Sequence, residues 1–438
     1  MAKYIIEGGV PLKGIVKIPG AKNSGFKLMI ASLLSDGLSI LTNIPYVRDV
    51  IAVSSIIEAL GAKVEFNGDT VQISNGIKNS EVPEELGLKS RASFMYLPVL
   101  LHRFKKGKVP LPGGDQIGER PINWFFEALR QMGANVKVED GSINVEAPKR
   151  LSGTRYSFPK NSHTGTEALV LAGCLAGGKT RIENAAQEPE VDDLISFLKK
   201  MGAKVQRVEP RVIEIEGVDS LKGASHEVMP DRNEVVTFSC MALGTGGDIR
   251  IENVNLDHLT VFFSKLNSAN GGLEKGKDTL RVFYKRELSP TFVQTGPYPS
   301  FMTDWQSVWC ALMTQANGVS VIYETIFENR FGYVPYLEKM GAKIKLFSPP
   351  VANPEKFYNF EYTTQAEKSP HAANIFGPTK LQGNNLEVTD IRAGATLVFA
   401  ALMADGRSEI EGVEHIERGY EDLEGRLEQL GAKIKKIT

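Results

Sequence analysis

The sequence predicts an α/β protein built from six copies of one helix–strand–helix–strand unit, and two glycine patterns predict it. In the first pattern, a Gly-Ala pair or a near equivalent separates an amphipathic segment from a short strand, at Gly61, Gly133, Gly202, Gly271, Gly341 and Gly431. The interval is about 70 residues, except for a last one of about 90. In the second pattern, an earlier helix in each unit ends at a glycine before a β-rich stretch, at Gly37, Gly107, Gly178, Gly247, Gly318 and Gly406. Six recurrences in register indicate a structural repeat.

The Gly-Ala pattern also predicts local geometry. Leu198–Met201 ends an amphipathic segment, Gly202-Ala203 follows, and Lys204–Val208 has the composition of a strand. A glycine just past a helix typically adopts the left-handed backbone that closes the last turn. We therefore expect a helix end at each of these marks.

A longer repeat divides the chain into two halves of three units each. Ile6–Gly14 returns as Ile215–Gly223, a shift of 209 residues. The last unit carries about twenty extra residues near Pro349–Pro378, which we expect to form a loop or an added hairpin.

The composition excludes several classes of function. Lysine and arginine total 51 against 52 aspartate and glutamate, so no net basic field exists to recruit nucleic acid or an anionic membrane. No apolar run approaches the roughly 18 residues that span a bilayer, and charge appears too early for a secretory signal. The three cysteines suggest neither a disulfide scaffold nor a metal site. We expect a cytoplasmic protein without a bound metal.

Basic residues recur where the predicted helices begin. The start of the first helix of a unit carries Lys22, Arg91, Arg232, Asp304 or Arg392, and in the third unit Ser162-His163-Thr164. The second helix begins near Arg48, Arg120, Arg330 and Arg418. A cation beside a helix N-terminus is unfavourable by roughly 0.3 to 1 kcal/mol, so its repetition indicates function.

Helix N-termini combined with guanidinium groups bind phosphate and carboxylate well. If the helices of each half run parallel, their starts converge, and two such faces would form a positive cleft. The expected ligand is multiply anionic and carries phosphate. The alternative is that each cation is an ordinary surface residue paired with a nearby acid.

Two carboxylates are candidates for proton transfer in such a cleft. Asp304 replaces the cation of its unit, and it is either a base or simply the N-cap of a helix over Trp305–Met313. Asp115 follows Gly113-Gly114 in a glycine-rich loop, where it is either a general acid on a lid or an ordinary turn aspartate.

These residues stand in stretches that resemble one family from end to end. The stretches are Pro19–Asn23, Arg91–Ser93, Leu111–Gly114, Ile117–Gly118, Arg120–Pro121, Ile182–Glu190, Pro230–Arg232, Thr303–Asp304, Phe327–Phe331, Thr389–Ala393 and His415–Tyr420. In this order they resemble the enolpyruvyl transferases, and among these the enzymes that act on UDP-N-acetylglucosamine.

The resemblance implies a fold and a division of the chain. The fold is α/β, with two inside-out α/β barrels, each a pseudo-threefold set of βαβαββ repeats, six repeats in total, and the active site in the interdomain cleft. The first half is 22–229, with a mobile loop near 111–121, and the second is 1–21 plus 230–438.

The resemblance also implies a reaction. The enolpyruvyl group of phosphoenolpyruvate passes to the 3′-hydroxyl of UDP-N-acetylglucosamine by addition and elimination through a tetrahedral ketal, and phosphate is released. This is the first committed step of peptidoglycan precursor synthesis, and no metal or organic cofactor is implied. The substrates are the only partners that it implies, and binding should close the two halves around them.

The resemblance assigns roles by position. Phosphoenolpyruvate would be held by Lys22, Arg120, Arg330, Arg392 and Arg418. The sugar nucleotide would contact Asn23, Arg91, Arg120, Lys160, Ser162, His163, Asp304 and Ile326. Asp390 would lie near the intermediate. The catalytic set would be Asp115, Asp304, Lys22, Arg392 and Arg418, with Asp304 taking the proton of the attacking hydroxyl and Asp115 supplying one to the methylene carbon.

The chain departs from the family at two places. The loop acid is usually Cys, and here it is Asp115, so we expect insensitivity to fosfomycin, which alkylates that Cys. On the nucleotide side, Met95, Asn123 and His163-Thr164 replace Trp, Asp and Val-Gly. His163 is therefore either a titratable substrate ligand or a polar residue that merely starts a helix.

The second departure keeps other functions open. One alternative is the same transfer to another acceptor, either another nucleotide or shikimate 3-phosphate. Another is a non-catalytic paralogue that binds phosphoenolpyruvate or a nucleotide sugar.

Overall fold

Helices and short strands alternate along the chain. The structure is a computed structural model and describes residues 2–113, 118, 121–388 and 390–437. The α-helices are α1 (Lys22–Ser32), α2 (Arg48–Ala59), α3 (Glu84–Gly87), α4 (Tyr96–Phe104), α5 (Asn123–Gln131), α6 (His163–Cys174), α7 (Pro189–Met201), α8 (Arg232–Gly244), α9 (Thr260–Ser268), α10 (Thr303–Met313), α11 (Val334–Lys339), α12 (Pro354–Phe357), α13 (Thr364–Lys368), α14 (Ile391–Met403), α15 (Val413–Ile416) and α16 (Leu423–Gln429). Short 3₁₀ helices cover Arg91–Met95 and Leu256–Leu259.

The strands are mostly five residues long. They are β1 (Lys3–Glu7), β2 (Lys13–Lys17), β3 (Ser39–Thr42), β4 (Lys63–Asn67), β5 (Thr70–Ser74), β6 (Lys106–Pro110), β7 (Asn135–Glu139), β8 (Ser142–Glu146), β9 (Arg155–Ser157), β10 (Lys179–Glu183), β11 (Lys204–Glu209), β12 (Val212–Glu216), β13 (Ser225–Glu227), β14 (Asp248–Glu252), β15 (Gly272–Lys275), β16 (Thr279–Phe283), β17 (Phe292–Gln294), β18 (Gly318–Tyr323), β19 (Lys343–Phe347), β20 (Ala372–Gly377), β21 (Asn385–Glu387), β22 (Arg407–Glu411) and β23 (Lys433–Ile437).

Within the described residues these strands form six small sheets of closely similar construction. The orders are β13-β3-β5-β4, β6-β8-β7, β9-β10-β12-β11, β2-β14-β16-β15, β17-β18-β20-β19 and β21-β22-β1-β23. In the five four-stranded sheets, one edge pair is parallel and the remaining pairs are antiparallel. The repetition that the glycines predict is therefore present in the strand pairing.

The described residues fall into two compact units. One contains residues 20–113 and 121–229, and the other contains 2–19 and 230–437. Strand pairing explains why the N-terminal residues belong to the second unit. There β1 pairs with β22 and β23, and β2 pairs with β14. In the first unit β13 completes the sheet of β3.

Each unit has its own apolar core, and the first helix of a repeat lies inside it. In the second unit, nearly every residue of α8, α10 and α14 is buried, and these three helices pack against one another. In the first unit, α1 and α6 are buried in the same way. A helix that is buried on all sides marks the centre of a domain.

The Gly-Ala marks end helices as predicted. Five of the six glycines have a positive φ, with 105° at Gly61 and Gly202 and between 90° and 101° at the others. At the degenerate mark, Asn270 takes the left-handed conformation at 65° in place of Gly271. Asparagine is among the few residue types other than glycine that visit this conformation, and the Asn270 side chain is held by a bond that its Nδ2 donates to Ser289 Oγ at 2.6 Å.

The extra residues lie in the fifth repeat and not in the last one, and they are neither a plain loop nor an added hairpin. They connect β19 to β20, which are the two strands of a hairpin that belongs to the repeat. The connection carries α12 and α13 and has a small apolar cluster of its own, formed by Tyr358, Phe360 and Ala366.

Two further observations concern the described residues alone. None of their helices is long and apolar enough to cross a bilayer. No group of three or more His, Cys, Asp or Glu side chains among them is placed to hold a metal ion. All three cysteines of the chain are buried and free.

Candidate active site

The predicted first-helix positions do lie at helix starts. Lys22 begins α1, Arg91 begins a 3₁₀ helix, His163 begins α6 and Arg232 begins α8, while Asp304 and Arg392 are the second residues of α10 and α14. Side-chain contacts place the first turns of α8, α10 and α14 side by side: Trp305 Nε1 donates to Asn233 Oδ1 at 2.9 Å, and Asp304 contacts Arg392.

Asp304 lies between two arginines in the second unit. Its Oδ1 accepts from Arg330 Nη2 at 3.2 Å, and its Oδ2 accepts from Arg392 Nη2 at 3.4 Å. Arg330 Nη1 also lies 3.9 Å from Asp390 Oδ1. We call Asp304, Arg330, Asp390 and Arg392 the Asp304 cluster. Asp304 does not cap its helix, because it lies in the first turn and the N-cap residue is Met302. The start of α10 has no side-chain capping bond. The N-cap interpretation is therefore wrong.

Asp390 is the N-cap residue of another helix, α14. Its Oδ1 accepts from the backbone N–H groups of Arg392 and Ala393 at 2.9 and 3.0 Å, which fixes the start of α14. The same carboxylate oxygen faces Arg330. Asp390 therefore fixes the backbone at Arg392 and lies beside the guanidinium group of Arg330.

Tyr420 supports Arg392 from the other side. Arg392 Nη1 donates to Tyr420 Oη at 3.0 Å, and that hydroxyl is 2.9 Å from Thr237 Oγ1 on α8. Burial alone would lower the pKa of Arg392, but Tyr420, Asp304 and Asp231 raise it above its ordinary value. The guanidinium is therefore a permanent, buried charge.

A buried glutamate holds the loop that carries Arg330. Glu324 Oε1 accepts from the N–H groups of Ile326 and Phe327 at 2.7 and 3.2 Å, and its Oε2 accepts from Thr303 Oγ1 at 3.0 Å. Burial raises the pKa of Glu324 above its usual range. Ile326, a predicted nucleotide contact, is half-buried in this loop.

The second-helix prediction is correct only in part. Arg48 begins α2, but its side chain is exposed. Arg330 precedes α11 by four residues, and Arg418 lies between α15 and α16, so both belong to connecting loops. The prediction failed there because these second helices are short and begin late, after loops that the repeat spacing does not reveal.

Burial rules out the surface-residue alternative for the central cations. Lys22, Arg232, Arg330 and Arg392 are each at most 8% exposed. An ion is costly to remove from water even when it is paired, so four such cations are not accidents of a surface. Arg330 Nε is moreover buried without a hydrogen-bond partner among the described residues.

In the first unit, the predicted residues lie at the starts of α1 and α6 and in the 3₁₀ helix. Lys22 Nζ is 2.9 Å from Asp49 Oδ2, and Asn23 follows it, half-buried. Arg91 and Lys160 are also half-buried. Burial lowers the pKa of the Arg91 guanidinium.

Three ionisable side chains meet at the first turn of α6. Ser162 caps this helix by accepting from the Gly165 N–H at 3.3 Å. The next residue, His163, has Nε2 3.2 Å from Glu167 Oε1 and 3.3 Å from Lys27 Nζ, and Lys27 also contacts Glu167 Oε2. We call Lys27, His163 and Glu167 the His163 cluster.

Comparison with known proteins identifies the family. The family model of EPSP synthase (3-phosphoshikimate 1-carboxyvinyltransferase) matches residues 6–427. The chain is 42% identical over 439 aligned residues to a UDP-N-acetylglucosamine 1-carboxyvinyltransferase of Desulfosudis oleivorans, and 40% identical to one of Halothermothrix orenii. In both comparisons the alignment covers all of each chain. The chain belongs to the enolpyruvyl transferases.

Solved structures of this family share the fold at low sequence identity. The enolpyruvyl transferase NikO from Streptomyces tendae has a TM-score of 0.87 at 23% identity, covering 100% of this chain and 99% of that one. An EPSP synthase from Acinetobacter baumannii has a TM-score of 0.76 at 19% identity, covering both chains fully. The mixed α/β fold is therefore the enolpyruvyl transferase fold.

Two predicted residues, Asp115 and Arg120, lie outside the described residues. Several partners escaped the sequence analysis: Asp49, Tyr420, Lys27 and Glu167. The four-residue spacing from His163 to Glu167 on a helix was a usable signal, since such pairs are neighbours. Nothing in the sequence brings Lys27 to them.

Proposed function

We propose that this enolpyruvyl transferase moves the enolpyruvyl group of phosphoenolpyruvate onto the 3′-hydroxyl of UDP-N-acetylglucosamine and releases phosphate. The relatives that are about 40% identical over the full chain carry the name of this activity. The proposed place of action is the cytoplasm, in the first committed step of peptidoglycan precursor synthesis.

The observation that carries the proposal is the Asp304 cluster. One carboxylate is shared by two buried arginines, and Arg330 retains a buried N–H without an acceptor among the described residues. A buried donor without a partner is costly, so a bound anion would stabilise the site. Phosphoenolpyruvate, with one carboxylate and one phosphate, supplies acceptors for both guanidinium groups.

We assign roles to the cluster from this geometry. Arg330 and Arg392, with Lys22, Arg120 and Arg418, bind the two anionic groups of phosphoenolpyruvate. Asp304 is the base that accepts the proton of the acceptor hydroxyl, because Arg330 and Arg392 contact and orient its two carboxylate oxygens. Asp390 fixes α14 and lies near the intermediate.

The remaining assignments complete the reaction. The methylene carbon must gain a proton when the hydroxyl oxygen adds to the adjacent carbon, and we assign that proton to Asp115. Loss of a proton from the resulting methyl group and departure of phosphate then give the enol ether product. Asn23, Arg91, Lys160, Ser162, His163 and Ile326 are assigned to the acceptor.

The fold details of the family complete the proposal. Each unit holds three of the six sheets. In the second unit, the first helix of each repeat packs against the first helices of the other two, as a three-repeat inside-out barrel requires. The proposed first half is 22–229 and the second is 1–21 plus 230–438. Both sets of charged residues are assigned to one reaction.

Phosphate release tests the proposal directly. The purified protein with phosphoenolpyruvate should release phosphate in the presence of UDP-N-acetylglucosamine, and not with UMP or shikimate 3-phosphate. Release with one of the latter two alone would favour the other-acceptor reading, for which the unusual Met95, Asn123 and His163 are the specific observation. Absence of release with all three would favour a non-catalytic paralogue.

A further inference from the structure

The His163 cluster is an unusual way to build the start of a helix. The side chains of Lys27 and Glu167 are 4% and 0% exposed, whereas that of His163 is 24% exposed. One lysine and one glutamate are thus removed from water almost completely, and the histidine is the only member that reaches solvent. A buried ion pair is weak evidence for stability, because desolvation offsets most of its attraction.

The arrangement of charge explains what the pair does to the histidine. Glu167 uses one carboxylate oxygen for Lys27 and the other for His163. Burial lowers the pKa of His163, the Glu167 carboxylate raises it and Lys27 lowers it, and the net effect is a raised pKa. With His163 protonated, the cluster carries one net positive charge, and His163 is the member that can present it.

The surrounding elements supply a further charge that acts on His163. This is Glu188, the N-cap residue of α7, which also raises the pKa of His163. The helices α4 and α5 also pack on α6, but His102 on α4 is bonded to the Ala172 carbonyl and Glu127 on α5 is bonded to Tyr156. Arg91 is the charged residue of the 3₁₀ helix that packs there.

We infer that Lys27 and Glu167 are positioning residues that hold His163 as an imidazolium, and that His163 binds the diphosphate of the nucleotide acceptor. This inference rests on the proposed function and names the chemistry of its acceptor side. Affinity for the acceptor then falls as the pH rises and His163 loses its proton. The ligand does not contribute to this change, because the diphosphate diester of a nucleotide sugar is fully ionised at neutral pH.

The test is the KM for UDP-N-acetylglucosamine from about pH 6 to about pH 9, at saturating phosphoenolpyruvate. In the unmodified protein KM should rise about tenfold from the low to the high end of this pH range, and kcat should change much less. His163→Gln should give a high KM that does not change with pH. His163→Arg, which keeps a permanent cation, should give a low KM at every pH.

The positioning residues should move the midpoint of this profile in opposite directions. Glu167→Gln removes the carboxylate that raises the pKa of His163, so the midpoint should fall. Lys27→Met removes a charge that lowers that pKa, so the midpoint should rise. A merely structural role would shift KM in both variants without this opposition.

The chain offers a matched control. His226 is also a buried histidine of the same unit, with Nε2 2.8 Å from Asp193 Oδ1. His226→Gln therefore removes a comparable histidine–carboxylate pair, and the KM profile should keep its shape. If folding fails in a Lys27 or Glu167 variant, the imidazole NMR titration of the unmodified protein, assigned with His163→Gln, gives the pKa directly.

Several outcomes would overturn the inference. It is wrong if His163→Gln keeps the original pH profile, if the Glu167 and Lys27 variants shift the midpoint the same way, or if His163 titrates below the ordinary histidine range. In each case an active enzyme leaves the proposed function intact. Absence of phosphate release with UDP-N-acetylglucosamine at every pH overturns both.

Discussion

The Asp304 cluster and the His163 cluster use different kinds of cation for related tasks. The first has two arginines, which stay protonated at every pH that a protein tolerates, held by Asp304 and Asp390. The second has a lysine and a histidine around one glutamate, and histidine titrates near neutral pH. The comparison teaches that the guanidinium groups of the Asp304 cluster keep their charge at every pH, whereas the charge of the His163 cluster can change near neutral pH.

The largest expected effect comes from the arginine side. Arg392→Ala removes contacts with Asp304 and Tyr420, and it should lower kcat/KM for phosphoenolpyruvate by about 100- to 1,000-fold in the phosphate-release assay. Arg392→Lys should restore little, because an ammonium group cannot reproduce two-pronged bonding.

Arg281→Ala is the control for this variant. Arg281 is a partly exposed arginine of the same unit that pairs with Asp248 and Glu274. It should behave like the unmodified protein. If the two alanine variants lose activity equally, the Asp304 cluster has no special role.

A smaller effect is expected at Asp115, which belongs to neither cluster. Asp115→Asn should lower kcat by about 100-fold, because it removes the proposed proton donor. Asp115→Cys should retain turnover within about tenfold and gain covalent labelling by fosfomycin, seen as a mass increase of the intact protein.

The unmodified protein should not be labelled by fosfomycin. Its three cysteines are buried, and burial raises the pKa of Cys174 and Cys310 to about 12, so reactive thiolate is scarce. Labelling of the unmodified protein, or full activity of Asp115→Asn, would contradict the role of Asp115.

A variant at Lys22 tests whether the first unit also contributes to binding of phosphoenolpyruvate. Lys22→Ala should raise KM for phosphoenolpyruvate about tenfold and KM for the sugar nucleotide by much less, because one charge-assisted contact is lost. Lys63→Ala, at an exposed lysine that pairs with Glu65, is the matched control. Equal increases in both KM values for Lys22→Ala would contradict a specific role of Lys22 in binding the donor.

The smallest effect concerns the stability of the second unit, which contains Glu234. Burial raises the pKa of Glu234 from 4.5 to about 7, although Arg426, 2.5 Å away, opposes this. The folded protein therefore binds this proton more tightly than the unfolded chain, and stability falls as the pH rises from about 4.5 to about 7.

Thermal unfolding of the unmodified protein and of Glu234→Gln checks this effect. The difference between their melting temperatures should change by about 3 to 6 °C across that pH window, because Gln has no proton to lose. If the difference between the two melting temperatures is the same at every pH, the pKa of Glu234 does not lie in this window.

Much of the repeat architecture could be predicted from the sequence, because the end of a helix depends on residues that are neighbours in the chain. Gly61, Gly202 and Gly341 need a left-handed backbone, and that need depends only on the adjoining turn. The starts of the central helices were placed correctly for the same reason, with cations recurring at fixed distances from these marks. Arg330 and Arg418 were misplaced, since loop length is not periodic.

The residues alone were sufficient to recognise the repeated unit, the family and the first-turn positions of Lys22, Asp304 and Arg392. Which charges meet became apparent from the folded chain. Asp304 contacts Arg330 across 26 residues of chain and Arg392 across 88, and Lys27 contacts His163 across 136. Local spacing fixes where a side chain leaves its helix, but packing of helices that are distant in sequence fixes what it finds there.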